Sequence, residues 1–313
     1  MNTSISVVIV NWNAGDQLQA CLDSFGAAVG GLRPGQSLDE VVVVDNASRD
    51  GSADHLTLAA GRLRVIRNEQ NRGFAAACNQ GAAGLGSDLV LFLNPDTKLF
   101  ANSLSVPMAF LAAPEHSGVG ILGVQLLDES GTIARSCSRY PRPGQFASAV
   151  LGLDRLLPRT GHAMREWDHR QTRDVDQVIG AFFLVRRPLF EALQGFDERF
   201  FVYFEEVDFA ARAGKSGQRS VYLTEAQAWH RGGGTTDQVK GLRLFYSLRS
   251  RLLYSAKHFS TFDRASLWIV TWLLEPLSRC LFLAVQGRFP EIRHVGQAYS
   301  LLLRNRVGAK RAS

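Results

Sequence analysis

The side chain best placed for chemistry in this sequence is the carboxylate of Asp96. It follows an unbroken apolar run, Leu89–Leu93, after the two turn residues Asn94 and Pro95. Such a run is typical of a buried parallel strand, and open α/β sheets bind ligands outside the carboxyl ends of these strands. With no Lys or Arg beside it until Lys98, this carboxylate suits a divalent cation that bridges to a diphosphate. The alternative is that Asp96 is only the N-cap of the helix that follows.

Two adjacent glutamates, Glu205 and Glu206, are candidates for moving a proton. They follow the aromatic run at residues 200–204 and begin a predicted helix. Apolar surroundings raise the pKa of a carboxyl group and suit it for proton abstraction, so one of the two is a candidate general base. Carboxylates in a first helical turn also simply complement the helix dipole, which is the role we assign to Asp208, paired with Arg212 one turn later.

His230 is a second candidate ligand for a cation. It follows Trp229 and precedes the glycines at positions 232–234, which predict a flexible loop able to wrap a phosphate. A lone His beside a Trp is more often a packed residue than a ligand. Binding of Mn²⁺ or Mg²⁺ by His230 together with Asp96 is therefore a hypothesis at this stage.

The elements that position these residues alternate between strands and helices. The predicted strands are residues 5–10, 40–44, 63–67, 89–93, 119–127 and 178–185. The predicted helices of the first half are residues 16–28, 54–60 and 71–83. This alternation predicts an α/β fold with a doubly wound, mostly parallel sheet. Residues 140–176 are rich in Pro and Arg and predict a long, partly mobile excursion.

Several classes of protein are disfavoured. The first strand is not followed by G-x-G-x-x-G, which disfavours a dinucleotide-binding domain, and the chain has no P-loop motif. The cysteines lie far apart without a C-x-x-C pair, which argues against a zinc site or a disulfide framework. We therefore expect the protein to reside in the reducing cytoplasm. The cysteines are Cys21, Cys78, Cys137 and Cys280. The N-terminus lacks a basic n-region, so we expect no signal peptide.

The charge is unevenly distributed along the chain. The net charge is +6, but residues 240–313 hold thirteen Lys and Arg against three Asp and Glu, a net +10, which leaves −4 for the rest. This split predicts a catalytic domain of residues 1–238 and a basic, amphipathic helical region of residues 239–313 that faces an anionic partner. Nucleic acid is a poor candidate for that partner, because the basic residues are spread along apolar helices.

Residues 265–285 are the most apolar part of this C-terminal region. Glu275, Pro276 and Arg279 interrupt them, and a spanning helix needs about 20 mostly apolar residues, so they predict a poor membrane span. Aromatic and basic residues together are typical of a helix that lies in the membrane interface. The alternative is a helix packed on the catalytic domain or in a dimer interface.

Taken in order, the motifs of residues 5 to about 258 resemble the family 2 inverting glycosyltransferases with the GT-A fold. Within that family they are most similar to bacterial rhamnosyltransferase-like members. The stretches that carry the resemblance are residues 7–13 (VVIVNWN), 43–48 (VVDNAS), 71–79 (NRGFAAACN), 93–96 (LNPD), 180–186 (GAFFLVR) and 196–208 (FDERFFVYFEEVD). The resemblance implies an α/β fold of GT-A type with a C-terminal helical extension.

The resemblance also implies roles for particular residues. The residues expected to bind the nucleotide are Val10, Asn11, Trp12 and Asp45 at the base and ribose, Gly73 and Asn79 near the diphosphate, and also Asn71 and Asn94. Asp96 and His230 would bind Mn²⁺ or Mg²⁺, Glu206 or else Glu205 would be the base, and Gly180 and Ala181 would lie on the acceptor side. Asn94-Pro95-Asp96 stands where the family has its DxD motif, so this chain has one anionic ligand where many relatives have two.

The implied function is transfer of a sugar to a hydroxyl of a cell-surface glycan or a polyprenyl-linked acceptor. The favoured sugar is L-rhamnose, donated by dTDP-rhamnose. The expected location is the cytoplasm, on the inner face of the plasma membrane. A nucleotidyltransferase is one alternative, but the basic Gly-rich loop that it would normally show near its N-terminus is absent. A catalytically silent homologue that acts as a binding subunit is another, against which Glu205, Glu206 and His230 argue.

Overall fold

The computed structural model describes residues 2–232 and 240–305 of the chain. These form two compact units. The sheet unit comprises Met1–Ser138, Asp168–Glu198 and Glu205–Thr235, and the helical unit comprises Arg139–Trp167, Arg199–Phe204 and Thr236–Ser313. The predicted domain boundary at residue 238 and the glycines at positions 233 and 234 lie outside the described residues.

A mixed sheet forms the centre of the sheet unit. Its strands, with those of a small two-stranded sheet, are β1 Thr3–Asn11, β2 Gln36–Asp45, β3 Leu63–Arg67, β4 Leu89–Leu93, β5 Thr97–Leu99, β6 Val119–Leu127, β7 Cys137–Ser138, β8 Arg173–Val175, β9 Gln177–Val178, β10 Phe182–Arg186 and β11 Arg219–His230. The order in the large sheet is β3-β2-β1-β4-β10-β6-β11-β5, with β8 beside β11. Strands β3, β2, β1 and β4 are parallel, as are β6 and β11, whereas β10 is antiparallel to both its neighbours.

The register of these strands gathers polar residues at one edge of the sheet. Asn11 at the end of β1 lies opposite Asp45 at the end of β2, and Leu93 at the end of β4 lies opposite Phe182 at the start of β10. The strand β4 is buried along its whole length, which confirms the predicted central strand. The side chains that follow these strands are therefore brought to the edge where open α/β sheets bind ligands.

The helices cover the sheet and build the helical unit. They are α1 Asp16–Asp23, α2 Phe25–Gly30, α3 Phe74–Ala82, α4 Asn102–Ala112, α5 Pro143–Val150, α6 Leu153–Leu156, α7 Arg187–Ala192, α8 Glu205–Lys215, α9 Lys240–His258, α10 Thr261–Ile269, α11 Glu275–Val285 and α12 Ile292–Arg304. Five phenylalanines from the sheet and its helices pack as one aromatic cluster in the sheet unit. They are Phe92, Phe183, Phe190, Phe196 and Phe209.

One predicted helix is wrong. Residues 54–60 form turns, because the side chain of Gln19 binds both backbone groups of Thr57, accepting from its N–H at 3.2 Å and donating to its carbonyl at 3.1 Å. His55 there has φ of 56°, in the left-handed region that an α-helix excludes. A tertiary contact has replaced the hydrogen bonds that a local helix would have made.

The excursion that the sequence predicts at residues 140–176 contains regular structure. Its first part forms α5 and α6, which belong to the helical unit together with the C-terminal helices. There, Phe245 and Leu248 of α9 pack against Ala298 and Leu302 of α12. Within the described residues, Thr261–Val285 is the helical run whose length and composition would allow it to cross a membrane.

Candidate active site

The acidic turn after β4 is fixed by hydrogen bonds to one backbone carbonyl. The N–H of Asn94 donates to the carbonyl of Ala181 at 3.1 Å, and the hydroxyl of Thr97 donates to the same carbonyl at 3.4 Å. The structure therefore brings the predicted metal ligand Asp96 close to Gly180 and Ala181. A Cβ added at Gly180 would meet no atom within 4 Å, so this glycine borders open space.

Asp96 and His230 are neighbours because β5 pairs with β11. Thr97 lies opposite His230 in this antiparallel pair, and the N–H of Arg231 donates to the carbonyl of Asp96 at 3.1 Å. The imidazole Nε2 of His230 lies 3.3 Å from Oδ1 of Asp96, with side chains that are 13% and 11% exposed. Since α4 begins only at Asn102, Asp96 is not the N-cap of that helix, and this alternative is wrong.

These two side chains fit a divalent cation of the kind that the sequence predicts. Nε2 of His230 is buried and makes no hydrogen bond within the described residues, although it lies close to Oδ1 of Asp96. An imidazole nitrogen and a carboxylate oxygen are both ligands that Mn²⁺ accepts. The described residues contain no group of three or more His, Cys, Asp or Glu arranged for a metal. A cation held here would therefore take its remaining ligands from diphosphate oxygens and water.

Asn11 is the centre of a hydrogen-bond network where the nucleoside is predicted to bind. Its buried amide nitrogen lies 2.9 Å from Oδ1 of Asp45, 3.0 Å from the hydroxyl of Ser48 and 2.9 Å from that of Ser52. The network fixes the ends of β1 and β2 against each other. The neighbours of Asn11 in the sequence are Val10, which is buried, and Trp12, which is half-buried. The nucleotide-binding roles of these residues remain predictions.

Asn46, whose role no sequence pattern indicated, holds the turn that precedes α3. Its amide nitrogen donates to Oδ1 of Asn71 at 2.9 Å and to the carbonyl of Gly73 at 3.2 Å, and its oxygen accepts from the N–H of Arg72 at 3.0 Å. Gly73, with φ of 89°, leads directly into α3. Helix N-termini attract anions, and the position of the diphosphate near Gly73 stays a prediction.

The side chain of Asn79 is engaged by the protein itself. Its amide donates to the carbonyl of Phe196 at 2.8 Å and to Glu198 at 3.1 Å, while its oxygen accepts from the N–H of Phe196 at 2.9 Å. These bonds give Asn79 a structural role in fixing the segment after β10 and α7. Its predicted contact with the nucleotide remains untested.

Glu205 and Glu206 begin α8 in surroundings that disfavour their charged forms. Burial and the neighbouring charge of Glu206 hold the pKa of Glu205 well above its usual range, and burial also raises the pKa of Glu206. Their Oε2 atoms make no hydrogen bond within the described residues. Glu205 is 5% exposed, whereas Glu206 is half-buried. Two such carboxyl groups can share one proton, and the one that is ionised is a strong base.

The rest of α8 is anchored firmly. Arg212 donates to Oδ2 of Asp208 at 2.8 Å, and its other nitrogens donate to the carbonyls of Leu193 and Gly195 at 2.6 and 2.8 Å. The ring of Phe209 packs in the aromatic cluster, 5.4 Å from that of Phe196. The predicted pairing of Asp208 with Arg212 is confirmed, so this third carboxylate supports the helix.

The turn that leads into α8 has a strained backbone that the sequence does not reveal. Tyr203 and Phe204 have φ of 67° and 70°, a region that non-glycine residues enter at about 1–3 kcal/mol each. Within the helical unit, the hydroxyl of Ser250 on α9 donates to the carbonyl of Val202 at 2.8 Å, and the rings of Phe204 and Tyr254 lie 5.6 Å apart. The helix α9 therefore stabilises this turn.

Comparison with known proteins gives a consistent result. A model of Glycosyl transferase family 2 matches residues 6–193 of the chain. Over 286 residues the chain is 29% identical to the N-acetylglucosaminyl-diphospho-decaprenol L-rhamnosyltransferase of Mycobacterium tuberculosis, and the alignment covers 85% of this chain and 89% of that protein.

Two solved structures share the fold. The mannosyltransferase PcManGT from Pyrobaculum calidifontis, in complex with GDP-Man and Mn²⁺, is 17% identical with a TM-score of 0.53, over 97% of this chain and 76% of that one. GalNAc-T7 with UDP, GalNAc and Mn²⁺ is 16% identical with a TM-score of 0.57, over 100% of this chain and 60% of that one. Together with the family match, these structures confirm the predicted fold class.

Proposed function

Since this chain belongs to Glycosyl transferase family 2, we propose that it is an inverting, metal-dependent glycosyltransferase that moves L-rhamnose from dTDP-rhamnose to a glycan or lipid-linked hydroxyl. The observation that carries the proposal is the Asp96–His230 pair. A half-buried carboxylate next to an imidazole nitrogen that makes no hydrogen bond within the described residues has the composition of a cation site beside a nucleoside diphosphate. The similarity to a rhamnosyltransferase over most of both chains supports the choice of sugar.

The reaction follows from the two glutamates. Glu206, in its ionised form, accepts the proton of the acceptor hydroxyl as the oxygen forms a bond to the anomeric carbon of the donor. The bond from that carbon to the diphosphate breaks on the opposite face, so the configuration inverts and the nucleoside diphosphate leaves. A divalent cation bound by Asp96 and His230 would supply positive charge to the departing diphosphate. Asn11, Asp45, Asn71 and Gly73 hold the nucleotide in place.

The acceptor is proposed to be lipid-linked, so that the enzyme works at the inner face of the plasma membrane in the synthesis of a cell-surface polysaccharide. The name of the mycobacterial relative states a decaprenol-linked acceptor. The C-terminal helices provide the contact with the membrane in this proposal. Gly180, which borders open space next to the acidic turn, lies on the acceptor side.

A thermal-shift panel followed by product analysis tests the proposal. The purified protein is heated with UDP, dTDP or GDP, each with and without Mn²⁺, and a ligand at a hundredfold excess over Kd stabilises by about 2.7 kcal/mol. We expect a shift with dTDP that depends on Mn²⁺, and transfer of rhamnose to a polyprenyl-diphosphate-linked sugar with release of dTDP. A shift with UDP alone would change the sugar and keep the mechanism. No shift with any nucleotide would favour a silent binding subunit, and release of pyrophosphate from a triphosphate would favour a nucleotidyltransferase.

A further inference from the structure

One face of the helical run Thr261–Val285 consists of exposed aliphatic side chains. They recur every fourth residue, are between 49% and 78% exposed, and are Ile269, Leu273, Leu277, Leu281 and Val285. At 1.5 Å per residue, this apolar ridge is about 24 Å long. Soluble monomers rarely expose continuous apolar surface of this extent, so the ridge indicates a binding surface.

A second segment, remote in sequence, extends the same surface. Residues 150–157 contribute leucines that are between 42% and 79% exposed, namely Leu151, Leu153, Leu156 and Leu157. The hydroxyl of Ser278 on α11 donates to the carbonyl of Val150 at 2.6 Å, and the guanidinium of Arg155 lies 5.4 Å from the centre of the Phe282 ring. The leucines of the 150–157 segment therefore adjoin the ridge within the helical unit.

The opposite face of the run is tied to the helical unit by polar contacts. Nη2 of Arg251 on α9 donates to the hydroxyl of Thr271 at 2.9 Å, and Tyr299 on α12 donates to the carbonyl of Thr271 at 2.7 Å. Buried Glu275 pairs with both Arg251 and Arg279. A helix that crossed a bilayer would have to carry this ion network into hydrocarbon, at a high cost in free energy. The geometry therefore favours a helix lying along a membrane surface.

The charge of the helical unit identifies the kind of surface. Its sequence holds nineteen Lys and Arg against six Asp and Glu, a net +13, whereas the sheet unit holds sixteen against twenty-three, a net −7. Exposed arginines lie on the apolar segments, at Arg155 and Arg279, and just after the helical run, at Arg288. Anionic lipid attracts basic residues by about 1 kcal/mol each near the surface. Two copies joined through this face would instead bring two strongly positive units together.

We propose that the ridge and the 150–157 segment form one two-part interface that lies on a bilayer containing anionic phospholipid. The aliphatic side chains enter the boundary of the acyl chains, and the arginines remain at the headgroups. This inference specifies the membrane contact proposed above and adds to it a segment outside the C-terminal helices. It does not depend on the identity of the donor sugar.

Vesicle sedimentation of the full-length protein tests the inference. The vesicles contain phosphatidylcholine alone, or phosphatidylcholine and phosphatidylglycerol in equal parts. We expect binding to the anionic vesicles that weakens in high salt. Burial of a Leu side chain is worth about 1.5–3 kcal/mol, so Leu156→Asp and Leu277→Asp should each weaken binding by about 10- to 100-fold. Phe100→Asp, which removes a 39% exposed aromatic side chain from the sheet unit, is the matched control and should bind like the wild type.

Three results would overturn the inference. Loss of binding in Leu277→Asp but not in Leu156→Asp would remove the 150–157 segment from the interface. Protein that resists extraction from the vesicles by alkaline carbonate would indicate a spanning helix. A stable dimer without vesicles, dissociated by Leu277→Asp and with no vesicle binding by the wild type, would assign the face to a second copy. Retention of the nucleotide thermal shift in each variant shows that the protein is folded, and it separates failure of this inference from failure of the proposed activity.

Discussion

Replacing each of the two adjacent glutamates by glutamine separates their roles. The pKa of Glu205 lies well above its usual range because of burial and the charge of Glu206. These effects favour the protonated form of Glu205, and glutamine imitates that neutral form. Glu206 is half-buried, whereas Glu205 is buried, which makes Glu206 the better candidate to meet an acceptor hydroxyl. We expect Glu205→Gln to retain most activity and Glu206→Gln to lose most of it.

The size of the loss follows from general-base catalysis, which contributes about 10²–10⁴-fold, equal to about 2.7–5.4 kcal/mol of barrier. Because burial raises the pKa of Glu206, the wild-type rate should rise with pH along a limb that lies above about pH 4.3, the ordinary pKa of Glu. Glu205→Gln should leave this limb in place, because glutamine imitates the neutral form of Glu205 that burial favours.

Stability provides an independent measurement of the same assignment. The folded state binds the proton of Glu205 more tightly than the unfolded state, so the wild type loses stability as pH rises above the unfolded pKa of about 4.3. Glu205→Gln should therefore melt at a higher temperature than the wild type at neutral pH, with no gain below that pKa. Initial rates of nucleoside diphosphate release and melting curves across pH measure both effects.

If Glu205→Gln loses activity and Glu206→Gln keeps it, Glu205 is the base. If both keep full activity, the reasoning is refuted.

Three further predictions concern other parts of the site. Asp96→Asn should abolish the Mn²⁺-dependent part of the thermal shift with dTDP while leaving the melting temperature without ligand nearly unchanged, and an unchanged shift would exclude Asp96 as a ligand. Gly180→Leu should raise the KM for the acceptor about tenfold, equal to about 1.4 kcal/mol of lost binding, with donor binding intact, because its side chain would project into open space on the proposed acceptor side. Ser250→Ala removes the hydrogen bond to the carbonyl of Val202, and we expect about 1–3 kcal/mol of lost stability and a lower kcat, with Ser250→Thr restoring both. Wild-type kcat in Ser250→Ala would show that the turn does not need this bond.

The sequence predicts the sheet better than it predicts the polar networks. Continuous apolar runs such as Leu89–Leu93 identify buried parallel strands, and the chain order then places Asp96 at a ligand-binding edge. The pairing of Asp96 with His230 depends on β5 and β11, which are more than a hundred residues apart and leave no local signal. Asn46 was missed for the same reason, since its partners at 68–73 meet it only in the folded sheet.

Secondary-structure prediction from local composition is wrong where tertiary contacts fix the backbone in another conformation. The segment 54–60 has a helical composition, but Gln19 binds the backbone of Thr57. The left-handed conformations of Tyr203 and Phe204 could not be predicted either, because neither residue type favours them and α9 supplies the stabilising contacts. Sequence patterns specify which residues are buried, whereas the strained turn depends on which elements meet.

The turn at residues 199–204 has a consequence for how this protein can evolve. It is encoded between two parts of the sheet unit, yet Ser250 and Arg249 of α9 bind its carbonyls at Val202 and Arg199. Recombination between two related genes at the junction before α9 would produce a protein whose turn comes from one sequence and whose supporting helix α9 comes from the other. We therefore expect a chimaera that exchanges α9 without residues 199–204 to lose the support of the turn that precedes the proposed base.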